Sequence, residues 1–129
     1  MQIFSREWFD ALISKVQTDE VFQKKAVGFD SHLHFKVLKD HKGKLDNDVE
    51  FGLWVPDGKP SWYGNKSASE VDIFLEGKAG TYVEVFKGKK NVVMALTMGA
   101  VKLKKGSLTK LTGNLGAVNR FIEIVGTIA

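Results

Sequence analysis

The chain has 129 residues, 43% of them hydrophobic and 26% charged, with a formal net charge of +4. That length predicts one domain over residues 1–129 built on a single core, and the composition excludes a disordered chain. The absence of cysteine excludes disulfides, thiolate metal sites and cysteine nucleophiles, and fits a reducing compartment. MQIFSREWFD lacks the basic start and continuous apolar core of a secretory signal, and the terminal GTIA is neither a peroxisomal nor an ER-retention signal, so a cytoplasmic location is expected.

Ser5 is placed to cap a helix over about residues 6–18, in which Glu7 suits the positive end of the helix dipole and Trp8, Phe9, Leu12, Ile13 and Val16 recur at helical spacing. Phe4 and Phe9 occupy the positions of a hydrophobic staple, and Asp19 is set to cap a short second turn ending near Lys25. From Val27 the period changes to two. Val27, Phe29, Leu33, Phe35 and Val37 fall on one face of a half-buried strand, with Asp30, His32, His34 and Lys36 on the other. KDHKGKLDN reads as a hairpin connection to a strand carrying Val49, Phe51, Leu53 and Val55, and PDGKP as the turn after it. SWYG is a short third strand, NKSAS a loop, and Val71, Ile73 and Leu75 a fourth strand.

Residues 78–87 turn helical, with Tyr82, Val85 and Phe86 on one side and Gly88 just past the end. Residues 91–98 form a second short helix stopped by Gly99, and AVKLKKG alternates Val101 and Leu103 against Lys102 and Lys104 as a fifth strand. Ser107 caps a last helix along which Leu108, Leu111, Leu115, Val118, Ile122 and Val125 follow one stripe, and Phe121, Ile124 and Ile128 add a second. Gly113 and Gly116 weaken it by about 1 kcal/mol each relative to alanine, which suggests a bend or a close backbone approach. The widened apolar arc calls for cover: a dimer partner, an apolar ligand, or deep burial of the terminal helix.

Charge is unevenly spread. Lys87, Lys89, Lys90, Lys102, Lys104, Lys105, Lys110 and Arg120 occur between residues 85 and 122 without a single acid. Such a surface suits phosphate backbones or acidic headgroups, and equally a solvated face with no partner. The lysines bracket an apolar run from Val92 to Val101, which is about half the roughly 20 residues a membrane-crossing helix needs, so a membrane span is excluded.

DSHLH sets Asp30, His32 and His34 on one strand face, a geometry able to offer a carboxylate and two imidazoles to a divalent metal, with His41 in the hairpin loop as the remaining histidine. Its brevity weighs against a metal site, and none is assigned. G-x-S-x-G, S-x-x-K, H-E-x-x-H, a P-loop and G-x-G-x-x-G are all absent, so no catalytic residue is assigned. Glu70 and Asp72 read as solvated residues rather than a general acid and base. Gly113 and Gly116 have the G-x-x-G spacing of a nucleotide-backbone clamp, but the leucine stripe runs straight through them, and nucleic acid is not the expected partner.

VDIFLEGKAGTYVEVFKGKKNVVMALTMGAVKLKKG resembles the sterol carrier protein 2 family: a strand, a helix ending in x-G-K at Gly88 and Lys89, an apolar helix holding Ala95, and a G-x-φ-K-φ-x-G strand (φ apolar) at Gly99, Val101, Lys102, Leu103 and Gly106. The order of elements before it agrees, so the resemblance spans about residues 20–125, with its specific part in 71–106. Members often follow that strand with a helix rich in methionine and leucine; here a longer leucine, valine and isoleucine helix with two glycines takes its place. The resemblance implies an α+β fold in which a five-stranded, mostly antiparallel sheet is covered by helices, with an apolar tunnel between them. It further implies binding and intracellular transfer of a sterol, fatty acid, fatty acyl-CoA or isoprenoid lipid, with no enzymatic activity and no cofactor.

On this reading the tunnel wall is expected from Val93, Leu96, Met98, Val101, Leu103 and Leu111, continuing along the last helix with Leu115, Val118, Phe121, Ile122 and Val125. Lys87, Lys89, Lys90, Lys102, Lys104 and Lys105 face water, where they can meet an acidic membrane surface. The alternative is a non-catalytic interaction or accessory domain that fills its own core and pairs through the C-terminal helix as a homodimer.

Overall fold

Ser5 turns the chain into its first helix: its Oγ accepts the Trp8 N–H at 3.2 Å and caps α1 (Arg6–Gln17). The computed structural model describes residues 2–27, 31–55, 61–62 and 71–128. Asp19 does the same for α2 (Glu20–Lys25), accepting the Phe22 N–H at 2.8 Å. The expected staple pairs differently. Phe4 has a φ of 65°, which aims its ring at Trp8, 5.4 Å away between centroids, while Phe9 turns onto Phe51 at 4.2 Å.

Among the described residues the sheet has five strands in the order β3-β2-β1-β4-β5. β1 (Ser31–Leu38) lies antiparallel to β2 (Val49–Val55), which carries β3 (Ser61–Trp62) on its far side. On the other flank β1 runs parallel to β4 (Ile73–Lys78), and β5 (Val101–Lys105) closes antiparallel to β4. Phe35 stands opposite Phe51 and Leu75, and Leu75 opposite Leu103, so one face is apolar across the sheet. The opposite face carries Lys36, Glu50 and Glu76, with Glu76 4.0 Å from Lys36 and 3.8 Å from Lys104.

Val27 is not on the strand face: it is 72% exposed in the turn after α2. Phe29, Asp30, the PDGKP turn, the NKSAS loop and the end of SWYG lie outside the described residues. The fourth strand starts later than the alternation of Val71, Ile73 and Leu75 predicts and extends to Lys78, because its pairing with β1 continues to Leu38. Gly77 lets it do so. A Cβ there would sit 3.2 Å from the Val101 side chain and 3.3 Å from the Tyr82 ring.

After β4 the chain forms α3 (Ala79–Phe86), ended by Gly88 at a φ of 76°, and α4 (Val92–Thr97), ended by Gly99 at 79°. Asn91 caps α4 by accepting the Val93 and Met94 N–H groups at 2.8 and 3.3 Å. The last helix is broken into α5 (Leu108–Thr112) and α6 (Leu115–Val125). Glycine at 113 supplies weak helix propensity, and the Asn114 side chain donates to the Lys110 carbonyl at 2.8 Å, replacing the backbone partner a continuous helix would provide. α6 packs on α1, α2 and α3, and a single hydrophobic core joins these helices to the apolar sheet face. None of the helices among the described residues is long and apolar enough to cross a membrane.

Candidate functional site: an apolar cavity between sheet and helices

The helices do not fill the space above the sheet completely. A cavity of about 110 Å³ remains, floored by Leu33, Phe35, Phe51, Leu75 and Val101 of the strands. Its inner walls come from Trp8 and Leu12 of α1, Phe22 of α2, Tyr82 and Val85 of α3, and Ala117 and Val125 of α6. Val92, Val93 and Leu96 of α4 face Leu115, Val118 and Ile122 of α6 along the rim, where all six side chains are half-buried. An engineered cavity of about 150 Å³ lined by such side chains stays dry and accepts benzene. The space therefore suits a ring or a short stretch of methylenes, and a longer chain requires the half-buried rim side chains to move.

The surface that faces the cavity is wholly apolar, and Trp8, Thr112 and Tyr82 contribute carbon to it; the Tyr82 hydroxyl is buried. That hydroxyl donates to the Lys36 carbonyl at 3.5 Å; burial first, and the Glu76 carboxylate second, push its pKa up, so it stays neutral. Among the described residues, no carboxylate, imidazole or amine lines the cavity. The arrangement can take up apolar surface, but its lining supplies no acid–base pair.

Nine of the eleven residues expected for the wall are in the lining: Val93, Leu96, Val101, Leu111, Leu115, Val118, Phe121, Ile122 and Val125. Met98 is not. It follows the last turn of the short α4 and is 76% exposed, one turn from Met94 on the side away from Val92 and Leu96. Leu103 is half-buried against the core without reaching the cavity. Sequence reasoning missed the inner walls, which were read only as the apolar faces of a helix and of strands; their two signals were the aromatic density of α1 and the alternation of β1 and β2.

Of the DSHLH candidates Asp30 lies outside the described residues, and His32 and His34 turn to different carboxylates. His34 is buried, with Nε2 3.0 Å from Glu50 Oε1, its ring 4.8 Å from that of Phe74, and Nδ1 without a hydrogen-bond partner among the described residues. His32 faces Asp72, with Nδ1 3.6 Å from Oδ2, and its backbone N–H donates to the same oxygen at 2.8 Å; that backbone bond is the main reason Asp72's carboxyl titrates below its usual range. Among the described residues no group of three or more metal-ligating side chains converges. Gly113 and Gly116 flank the joint between α5 and α6, and Gly116 lies against the Lys25 stem.

No protein-family model matches the chain, and no curated protein does. Solved structures do match. The crystal structure of a sterol carrier protein 2 superposes with a TM-score of 0.82 at 24% identity, covering 98% of this chain and 99% of that one. The solution structure of a conserved hypothetical protein from Thermus thermophilus gives 0.81 at 24% identity, over 100% of this chain and 91% of that one. Palmitated sterol carrier protein 2 like 2 from Aedes aegypti gives 0.59 at 13% identity, over 95% and 96%. The fold is thus that of the sterol carrier protein 2 structures: a mixed α+β layer in which helices cover one face of a mostly antiparallel sheet.

Proposed function

We propose that residues 1–129 form one domain that binds and carries a lipid, holding the apolar part of an amphiphile in the cavity between the sheet and α4–α6. The observation that carries this reading is an apolar cavity with a half-buried rim, in a fold shared with a protein whose solution structure is palmitated. Of sterols, fatty acids, fatty acyl-CoAs and isoprenoid lipids, a fatty acyl chain fits best. A narrow chain can thread past the rim, while no charged group of the lining would receive a headgroup, which stays at the surface among the lysines flanking α4. Each buried CH₂ contributes about 0.8 kcal/mol, so a dozen methylenes, admitted once the half-buried rim side chains move aside, support micromolar binding after ordering costs. The domain is non-enzymatic on this reading and works in the cytoplasm. Ile124, the residue on which helix pairing would rest, is 5% exposed within the chain's own core, which argues against the homodimer reading.

Native mass spectrometry of freshly purified protein, followed by organic extraction, tests the proposal. A stoichiometric co-purifying lipid, or a one-to-one adduct with added palmitate, is expected. A clean apo mass that no fatty acid, acyl-CoA or isoprenoid shifts would sink it.

A further inference from the structure

β5 is the last strand of the sheet, and its outer edge is open. Among the described residues no strand pairs with that edge, and the backbone of residues 101–104 makes no hydrogen bond outside its ladder with β4. In an edge strand alternate N–H and C=O groups point away from the sheet, a ready template for another strand. The side chains beside this edge are of two kinds. Val101 is buried and Leu103 half-buried on the face under the helices. Lys102 stands opposite Glu76 on the other face, and Lys104 reaches the same carboxylate at 3.8 Å. Lys105 shares their face because of a bulge: Leu75 pairs with Leu103 but Phe74 with Lys105, and the Phe74 ring lies against His34 on the side away from the helices. Lys36 of β1 approaches Glu76 from its other flank at 4.0 Å, while Glu50 is turned to His34 and Asp72 to His32. Lys36, Lys102 and Lys104 therefore stand around one carboxylate among the described residues.

We infer that the open edge of β5 takes an extended, acidic segment of a partner protein as a further strand. The backbone of that segment completes the ladder. Acids at alternate positions face Lys102 and Lys104, and apolar residues between them extend the face of Val101 and Leu103. A second copy of this edge is the wrong partner, because pairing β5 with itself sets lysines against lysines. The charges that refuse a copy are the ones that select an acidic strand. This docking does not depend on what the cavity holds.

The test is fluorescence anisotropy of the full chain with a labelled synthetic peptide alternating glutamate and valine. It is run beside the lysine–valine counterpart and a copy of the acidic peptide N-methylated along its backbone. The acidic peptide should bind about tenfold or more tightly than the lysine peptide, with the preference narrowing as salt rises, and the N-methylated copy should not bind. With peptide at saturation, amide exchange followed by NMR should slow severalfold at the outward N–H groups of residues 101–105 and stay unchanged in β3 at the opposite edge. Lys102 is exposed, so Lys102→Gln should melt like the parent and bind the acidic peptide severalfold more weakly. An acidic peptide that fails to bind up to millimolar concentration, equal binding of the lysine or N-methylated peptide, or exchange that slows only in the helices would overturn the inference. A dimer of the chain itself that protects residues 101–105 without peptide and loses that protection on dilution would put a second copy on the edge and overturn it too.

Discussion

Arg120 grips Asp19 through both carboxylate oxygens, Nε to Oδ2 at 2.9 Å and Nη2 to Oδ1 at 2.8 Å, while Oδ2 also accepts the Phe22 N–H. One carboxylate thereby caps α2 and ties it to α6, whose opposite side lines the cavity. The Arg120 hydrogen bonds are the largest influence on Asp19 and outweigh its desolvation, holding its carboxyl at about 2, against 3.8 for a free aspartate. A depressed folded pKa stabilises the protein above the unfolded value and is lost as pH falls through the folded one. Asp19→Asn keeps the cap and removes the charge, so it should lower Tm at neutral pH by about 3–6 °C. The gap to the parent should shrink between about pH 4 and pH 2, as thermal melts across that range would show. A gap independent of pH would mean the ion pair contributes nothing.

Phe121 sits on the cavity wall with its ring 6.4 Å from that of Phe22. Because it is half-buried, Phe121→Ala should cost about 2 kcal/mol, below the range for a fully buried phenylalanine. Leu115→Asp puts a charge on the rim and should cost little stability while weakening palmitate binding about tenfold or more. Fluorescent fatty-acid titration beside urea unfolding separates the two effects. Full affinity in both variants would move the binding site elsewhere.

Two glycines with positive φ should respond differently to alanine. At Gly106, φ is 103° and a Cβ would lie 2.7 Å from the Asp72 carbonyl oxygen, whereas at Gly88, φ is 76° and the space is open. Gly106→Ala combines strain with overlap and should cost about 2–4 kcal/mol. Gly88→Ala carries strain alone, about 1–2 kcal/mol. Similar urea midpoints for the two variants would contradict this account.

The histidines should not hold a metal. With His34 turned to Glu50 and His32 to Asp72, dialysed protein is expected to carry no stoichiometric zinc, and added zinc should leave its melting temperature where it was. Retained zinc that disappears in His32→Ala would reverse that expectation.

Periodicity was enough to find most elements, because caps such as Ser5 and Asp19 and stops such as Gly88 and Gly99 act within a turn or two of themselves. The break at Gly113 was harder. The leucine stripe continues through it, and only a side-chain bond from Asn114 to Lys110 reveals where the helix ends. Met98 was misplaced for a related reason: a six-residue helix has no room for a second inward turn. The inner cavity walls were invisible as such, since a Leu33 facing empty space and one facing another side chain share the same alternating pattern. The partner of β4 was also unreadable. Nothing in residues 73–78 says whether they pair with β1 or extend the meander.

That last pairing carries a consequence for how the chain assembles. β1 is synthesised before every other strand yet ends in the middle of the sheet, and its second neighbour arrives only when Ile73 can meet Leu33. The hairpin with β2 forms early and locally, but the sheet centre must wait for a long loop to close, which slows folding relative to a chain of local contacts. A nascent chain paused before residue 73 shows an open strand edge carrying Leu33, Phe35 and Val37. In that interval, pairing between unfinished copies competes with completion of the sheet.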